Sequence, residues 1–177
     1  MRFENKKLDF TVHSTNPWNH IKKQYFKHLV KFMDIENLSV KPFGNRLYPL
    51  YQNLAGRLSC TFVLAFPTID SIWVFDYIES FIDPQKVFLD ITLLSNKSTR
   101  IFITCPHRSW TPTWSYNHWH EIDPDRFEWL AEYCGFRVVK HESHTIWQKW
   151  YNYFGFRPLF RLLFSRYKLH IYELRLK

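Results

Sequence analysis

Apolar residues at Trp18, Ile21, Tyr25, Leu29 and Phe32 recur every three or four positions, which predicts a helix from Asn16-Pro17 to about Met33. Asparagine suits the capping position, and proline suits a first turn where its missing N–H costs nothing. Lys23, Lys27 and Lys31 fall four apart on another face, which reads as a solvated surface or, alternatively, an anion-binding one. Leu38-Ser39-Val40 then reads as a short strand, Lys41-Pro42-Phe43-Gly44-Asn45 as a turn, and Arg46 to Leu58 as a helix with Pro49 in its first turn. Two β-branched and aromatic runs, Cys60 to Phe66 and Ser71 to Phe75, predict buried strands separated by a turn around Thr68-Ile69-Asp70.

Asp83-Pro84 opens a further helix to about Leu94, with Val87, Phe88, Ile91 and Leu94 on one face. Arg100 to Cys105 is apolar at almost every position, as expected of a strand covered by helices on both faces, and Pro106 ends it. After a polar stretch, Asp123-Pro124 starts a helix to about Cys134 that Gly135 terminates. Phe136 to Val139 and Lys168 to Leu176 are the remaining strands. Alternating strands and helices imply an α/β fold: a mostly parallel sheet with helices on both faces and right-handed crossovers. Ligands of such sheets sit outside the carboxyl ends of the strands, which is where the loop from His107 to Asp123 falls.

A length of 177 residues suits one domain. We divide it into an N-terminal helical segment (1–36), an α/β core (37–145) and an aromatic, basic insertion with the last strand (146–177). With 46% hydrophobic and 20% aromatic residues, the chain has too much apolar surface to stay unfolded. The formal charge of +8 favours anionic partners: nucleic acid, phosphorylated metabolites or an acidic membrane surface. Cys60, Cys105 and Cys134 are odd in number and form no CxxC pair, which fits reduced thiols and argues against a structural zinc site. Met1 to Phe10 lacks the apolar region of a signal peptide, and no apolar run is long enough to span a bilayer, so a soluble, cytoplasmic protein is expected. Only 4 glycines are present, so glycine-rich phosphate cradles are scarce.

Three segments in order carry a resemblance. Asp70-Ser71-Ile72-Trp73-Val74-Phe75-Asp76-Tyr77-Ile78-Glu79-Ser80 is followed by Asp83-Pro84, then by Arg100-Ile101-Phe102-Ile103-Thr104-Cys105-Pro106, then by a helix closing in Leu130 to Cys134-Gly135-Phe136. This order resembles the second half of a class I S-adenosylmethionine-dependent methyltransferase, with the segments matching its fourth strand and helix, its fifth strand, and the helix leading into its sixth. The match runs from about Asp70 to Val139, and more loosely over Lys168 to Leu176. Several positions depart from the pattern. The loop after the first strand has one glycine, Gly44; the second strand ends at Phe66-Pro67 rather than in an acidic residue; Ser80 stands where the family usually has histidine. The interval from Gly44 to Asp70 is also short for three strands, implying an abbreviated N-terminal half.

The resemblance implies S-adenosylmethionine as cofactor, with Phe43, Gly44, Asn45, Phe75, Asp76 and Ile78 on the cofactor side. It places the segment after the fifth strand at the acceptor, with His107, His118 and His120 as candidate general bases and Arg108, Trp110, Tyr116 and Glu121 as candidate substrate contacts. A histidine near neutral pKa suits removal of the proton from an oxygen or nitrogen acceptor, and an arginine fork suits a phosphate or carboxylate. The same histidines also read as solvated loop residues or as partners of the helix at Asp123. A third reading takes His118 and His120 as a metal pair completed by Glu121, His107 or Cys105, although methyltransferases of this class generally need no metal.

Between Ile146 and Lys168, Trp147, Trp150, Tyr151, Tyr153, Phe154, Phe156, Phe160 and Phe164 alternate with Lys149, Arg157, Arg161 and Arg166. This composition suits a cover over one end of the sheet, a peripheral membrane contact or, less well, stacking on single-stranded bases. The expected function is methyl transfer to a small-molecule, glycan or lipid-linked acceptor. The alternatives are a methyltransferase-like binding protein without catalysis, and a basic aromatic module binding membrane or nucleic acid.

Overall fold

The computed structural model describes residues 17–43, 48–63, 69–108, 120, 122–146 and 167–177, with the backbone alone at 17–22, 48–49, 108 and 167. Helix α1 (Pro17–Met33) leads to strand β1 (Ser39–Phe43), helix α2 (Tyr48–Arg57) and strand β2 (Thr61–Phe62). Strand β3 (Ser71–Phe75), a 3₁₀ turn (Ile78–Ser80) and helix α3 (Pro84–Leu94) follow. Then come β4 (Arg100–Arg108), α4 (Pro124–Tyr133), β5 (Phe136–Ile146) and β6 (Tyr167–Leu176).

The six strands form one sheet in the order β2-β1-β3-β4-β6-β5. Pairings β2-β1, β1-β3 and β3-β4 are parallel, while β6 lies antiparallel between β4 and β5. Among the described strands β6 alone therefore runs against the others, as the mostly parallel reading requires. The segment resembling the family's fourth strand is β3, third in the sheet's chain order. The interval from Val63 to Asp70 is too short for a helix and a strand, so one unit is missing and the N-terminal half is abbreviated.

Side chains alternate along each strand, and the alternation feeds two separate cores. On one face Trp73, Phe75, Phe102, Leu169 and Ile171 pack against Tyr25, Leu29 and Phe32 of α1 and Leu50, Tyr51 and Leu54 of α2. On the other, Ile72, Val74, Ile101, Ile103, Tyr172 and Leu174 meet Val87, Phe88 and Ile91 of α3 and Phe127, Leu130 and Ala131 of α4. Lys23, Lys27 and Lys31 remain exposed, so that stripe is a solvated face. Both Asp-Pro starts behave as read: Asp83 accepts from the Gln85 N–H and Asp123 from the Arg126 N–H, each at 2.9 Å, ahead of a proline in the first turn. Gly135 ends α4 at φ +86°, a conformation other residues adopt at a cost.

Four boundaries differ from the sequence reading. Strand β1 continues through Lys41–Phe43, and β4 through Pro106 to Arg108, so neither Pro42 nor Pro106 acts as a stop. The reason is which side each imide nitrogen faces. The Val40 carbonyl accepts from Val63 on the β2 side, so Pro42, two residues on, faces that side beyond the last paired residue of β2. Likewise the Thr104 carbonyl accepts from Asp76, so Pro106 faces the β3 side after β3 has ended at Phe75. Of the run Cys60 to Phe66, only Thr61–Phe62 is strand among the described residues, with Val63 still donating into the ladder. Finally, β5 runs to Ile146 rather than stopping at Val139. Its extension Lys140-His141-Glu142-Ser143-His144 lacks apolar alternation because it lies on a sheet edge, where pairing with β6 suffices.

Arg100 and Glu173 join the start of β4 to β6. The guanidinium makes two bonds to the buried carboxylate, at 2.7 and 2.9 Å, and donates to the Met33 carbonyl at 3.3 Å, so it also holds the end of α1. Arg100→Met should leave the buried Glu173 carboxylate with the longer 3.7 Å pairing to Arg175 and so cost less than the roughly 3–5 kcal/mol of a fully broken buried pair, and Arg100→Met combined with Glu173→Leu should recover most of that loss. Urea unfolding of both variants checks this.

Candidate functional site

Strand β1 has β2 on one side and β3 on the other, so the chain's crossovers leave it in opposite directions. Such a reversal is a topological switch point, and open α/β sheets bind ligands in the crevice at the carboxyl ends of the strands there, here β1 and β3. Tyr51 of α2 clamps the crevice from below. Its hydroxyl donates to the Phe43 carbonyl at 2.6 Å and accepts from the Phe75 N–H at 2.9 Å, and its ring stacks on Phe75 at 5.0 Å. Burial pushes this phenol well above its ordinary pKa, so it stays neutral.

Beyond Phe75 the chain turns at Asp76, whose φ of +48° is one that aspartate tolerates better than most residues. The Asp76 N–H is shared between the Thr104 carbonyl (3.3 Å) and hydroxyl (3.0 Å), and that hydroxyl donates back to Asp76 Oδ1 at 3.0 Å. The turn presents Tyr77, half-buried, edge-on to half-buried Phe43 at 6.3 Å and to Phe81 at 4.8 Å. Glu79 is buried in the 3₁₀ turn above Cys105. Burial, followed by the charges of Glu79 and Asp76 and a hydrogen bond to Glu79, pushes the Cys105 thiol well up, so it acts as a donor rather than a thiolate.

The structure brings Phe43, Phe75, Asp76 and Ile78 together at this crevice, with Phe75 and Ile78 sunk into opposite cores. His107 lies on β4 itself rather than in a loop, paired with Lys168 and edge-on to His170 at 6.1 Å. His120 is exposed. Its main chain donates to the Glu79 carbonyl at 3.4 Å and its Nε2 donates to the Ile82 carbonyl at 2.7 Å, so it ties the segment before α4 to the turn before α3. Arg108 is described by backbone alone, opposite Tyr167. Gly44, Asn45, Trp110, Tyr116, His118 and Glu121 lie outside the described residues, as does nearly all of the aromatic insertion. Among the described residues, no three His, Cys, Asp or Glu side chains converge as a metal shell. No helix among them is long and apolar enough to cross a membrane.

Sequence reasoning missed Tyr51, Tyr77 and Thr104, and also a histidine row. His170 on β6 is buried, and its Nδ1 lies 3.0 Å from Nε2 of His141 on β5. His141 stacks on Tyr172 at 4.2 Å, and its Nδ1 lies 3.4 Å from Glu128 of α4. Burial, then His141, His107 and Lys168, lower the His170 pKa to about 4; burial also lowers His141, with Glu128 opposing. The available signal was a histidine inside the otherwise apolar run Leu169-His170-Ile171.

No family model matches the sequence, and no curated protein matches it either. Solved structures do. Phosphoethanolamine N-methyltransferase 2 of Haemonchus contortus, in complex with S-adenosylmethionine, superposes with a TM-score of 0.58 at 8% identity over 92% of this chain. A Haloferax volcanii protein assigned as a methyltransferase, in complex with a methyltransferase activator, gives 0.57 at 8% identity over 88% of this chain and 92% of its own. The fold is that of the class I methyltransferases. The methyltransferase-like chain spans 57% of the length of the Haemonchus enzyme.

The histidine row makes stability pH-dependent. His170 titrates near 4 when folded against 6.5 ordinarily, so as pH falls below 6.5 the unfolded chain takes up its proton first. Stability should decline from pH 6.5 to about 4, with His141 adding in the same direction, and then level off for this residue. His170→Gln should flatten that decline when urea midpoints are compared between pH 7 and 4; an unchanged slope would remove His170 as its source.

Proposed function

We propose that the chain is an S-adenosylmethionine-dependent methyltransferase acting on a small-molecule, glycan or lipid-linked acceptor. The observation that carries the reading is the strand-order reversal at β1, with the aromatic pair Phe43 and Tyr77 at the mouth of its crevice. A purine ring needs flat apolar surface, and these half-buried rings supply it. Phe43 and Tyr77 would together offer the adenine an apolar surface, with Gly44 and Asn45, next in the chain, and Asp76 as further cofactor contacts. S-adenosylmethionine, if bound, would supply an electrophilic methyl group and leave as S-adenosylhomocysteine, and the chain's own part would be to take the proton of the acceptor oxygen or nitrogen. His107, at the end of β4 beside this crevice, is the favoured base. His118 and His120, with Arg108, Trp110, Tyr116 and Glu121, form the proposed acceptor side, and a lipid-linked acceptor would approach along Ile146 to Lys168.

Calorimetric titration with S-adenosylmethionine and with S-adenosylhomocysteine tests the proposal. Both should bind, and Phe43→Ala or Tyr77→Ala should weaken binding roughly tenfold, the loss of about 1.4 kcal/mol of stacking. No heat at millimolar cofactor would overturn the reading. Binding without methyl transfer to any acceptor would favour a non-catalytic binding protein.

A further inference from the structure

The histidine row lies on the α4 side of the sheet, at the same end as the crevice. His170 pairs across the ladder with Cys105 and Ser143, His107 pairs with Lys168, and Glu128 reaches over from α4. Among the described residues, the Nε2 of His170 is buried and has no hydrogen-bond partner, although the ring's other nitrogen is engaged.

Proton positions along the row follow from its carboxylate end. Glu128 accepts, so the proton of neutral His141 belongs on Nδ1, 3.4 Å away. His141 Nε2 is then a lone pair, and the contact at 3.0 Å requires His170 to donate to it from Nδ1. His170 Nε2 is therefore left as a bare acceptor. Stacking of His141 on Tyr172 at 4.2 Å and 14° fixes the ring plane through which the preference passes.

We propose that Glu128, His141 and His170 form a tautomer-fixing relay that holds His170 Nε2 as an acceptor for a hydroxyl or amine donor on the methyl acceptor, making His170 a positioning residue beside His107. The ligand half of this inference rests on the methyltransferase reading; the relay itself does not. Low basicity suits the role, since His170 stays neutral and keeps its lone pair at physiological pH while its neighbours Cys105, His107, His141, Lys168 and Glu128 surround it.

Long-range ¹H–¹⁵N correlation spectra of histidine-labelled protein at pH 7 test both halves. His170 and His141 should each show a protonated Nδ1 and a bare Nε2, and Glu128→Ala, at an exposed helix position, should turn both into tautomer mixtures. A His170 protonated on Nε2, or rings indifferent to Glu128→Ala, would overturn the relay. Ethanolamine, which carries both donor types, should move the Nε2 resonance of His170 upfield when added at tens of millimolar; an unmoved resonance would overturn the ligand role. Failure to bind S-adenosylmethionine would leave the tautomer result standing, so the two readings fail separately.

Discussion

Strand β3 and the first part of β4 have no water on either face: every residue from Ser71 to Phe75 is buried, as are Ile101 to Cys105. A strand pair in that position can present only apolar or hydrogen-bonded side chains above and below, and its polar main chain must be paired on both edges. Everything else in the fold answers this constraint. Helices α1 and α2 close one face and α3 and α4 the other, β1 and β6 take the two edges, and the polar side chains of the pair are hydrogen-bonded. Ser71 donates its hydroxyl to the Arg100 carbonyl and accepts from the Trp73 indole, each at 3.0 Å. Glu173 is held by Arg100.

The same constraint makes the carboxyl ends of the strands the place for chemistry. There the main chain comes out of the two-sided core, and its loose groups are gathered by side chains rather than by ladder. Tyr51 bridges β1 to β3, and Asp76 with Thr104 bridges β3 to β4. Three strand ends are thereby fixed relative to one another by hydroxyl groups. Such a rigid rim is what a ligand requires if its reacting atom is to be placed within a fraction of an ångström.

Much of this was legible in the chain. The Asp-Pro pairs at 83 and 123 announce helix starts through a cap and a ring that both act locally, and continuous apolar runs announce strands buried on both faces. What escaped depended on neighbours. Pro42 and Pro106 read as stops because a missing N–H normally breaks a ladder, and only the order and lengths of adjacent strands show that nothing faces them. Lys140 to His144 reads as loop because an edge strand need not alternate. His120 was legible as a candidate base but not as a residue that anchors one turn to another, and His170 and His141 meet only across β6 and β5. The crevice was legible through the resemblance at Asp70 to Ser80, whereas Tyr77 emerges as one of its walls only when Phe43 is set opposite it.

Hydrogen–deuterium exchange with and without S-adenosylmethionine is the most direct test that the crevice at the strand-order reversal is the ligand site. Added protection is expected over Phe43 and over Asp76 to Phe81, with little change in the β5–β6 ladder away from it. Protection absent from those two segments, or confined to the ladder, would contradict the assignment.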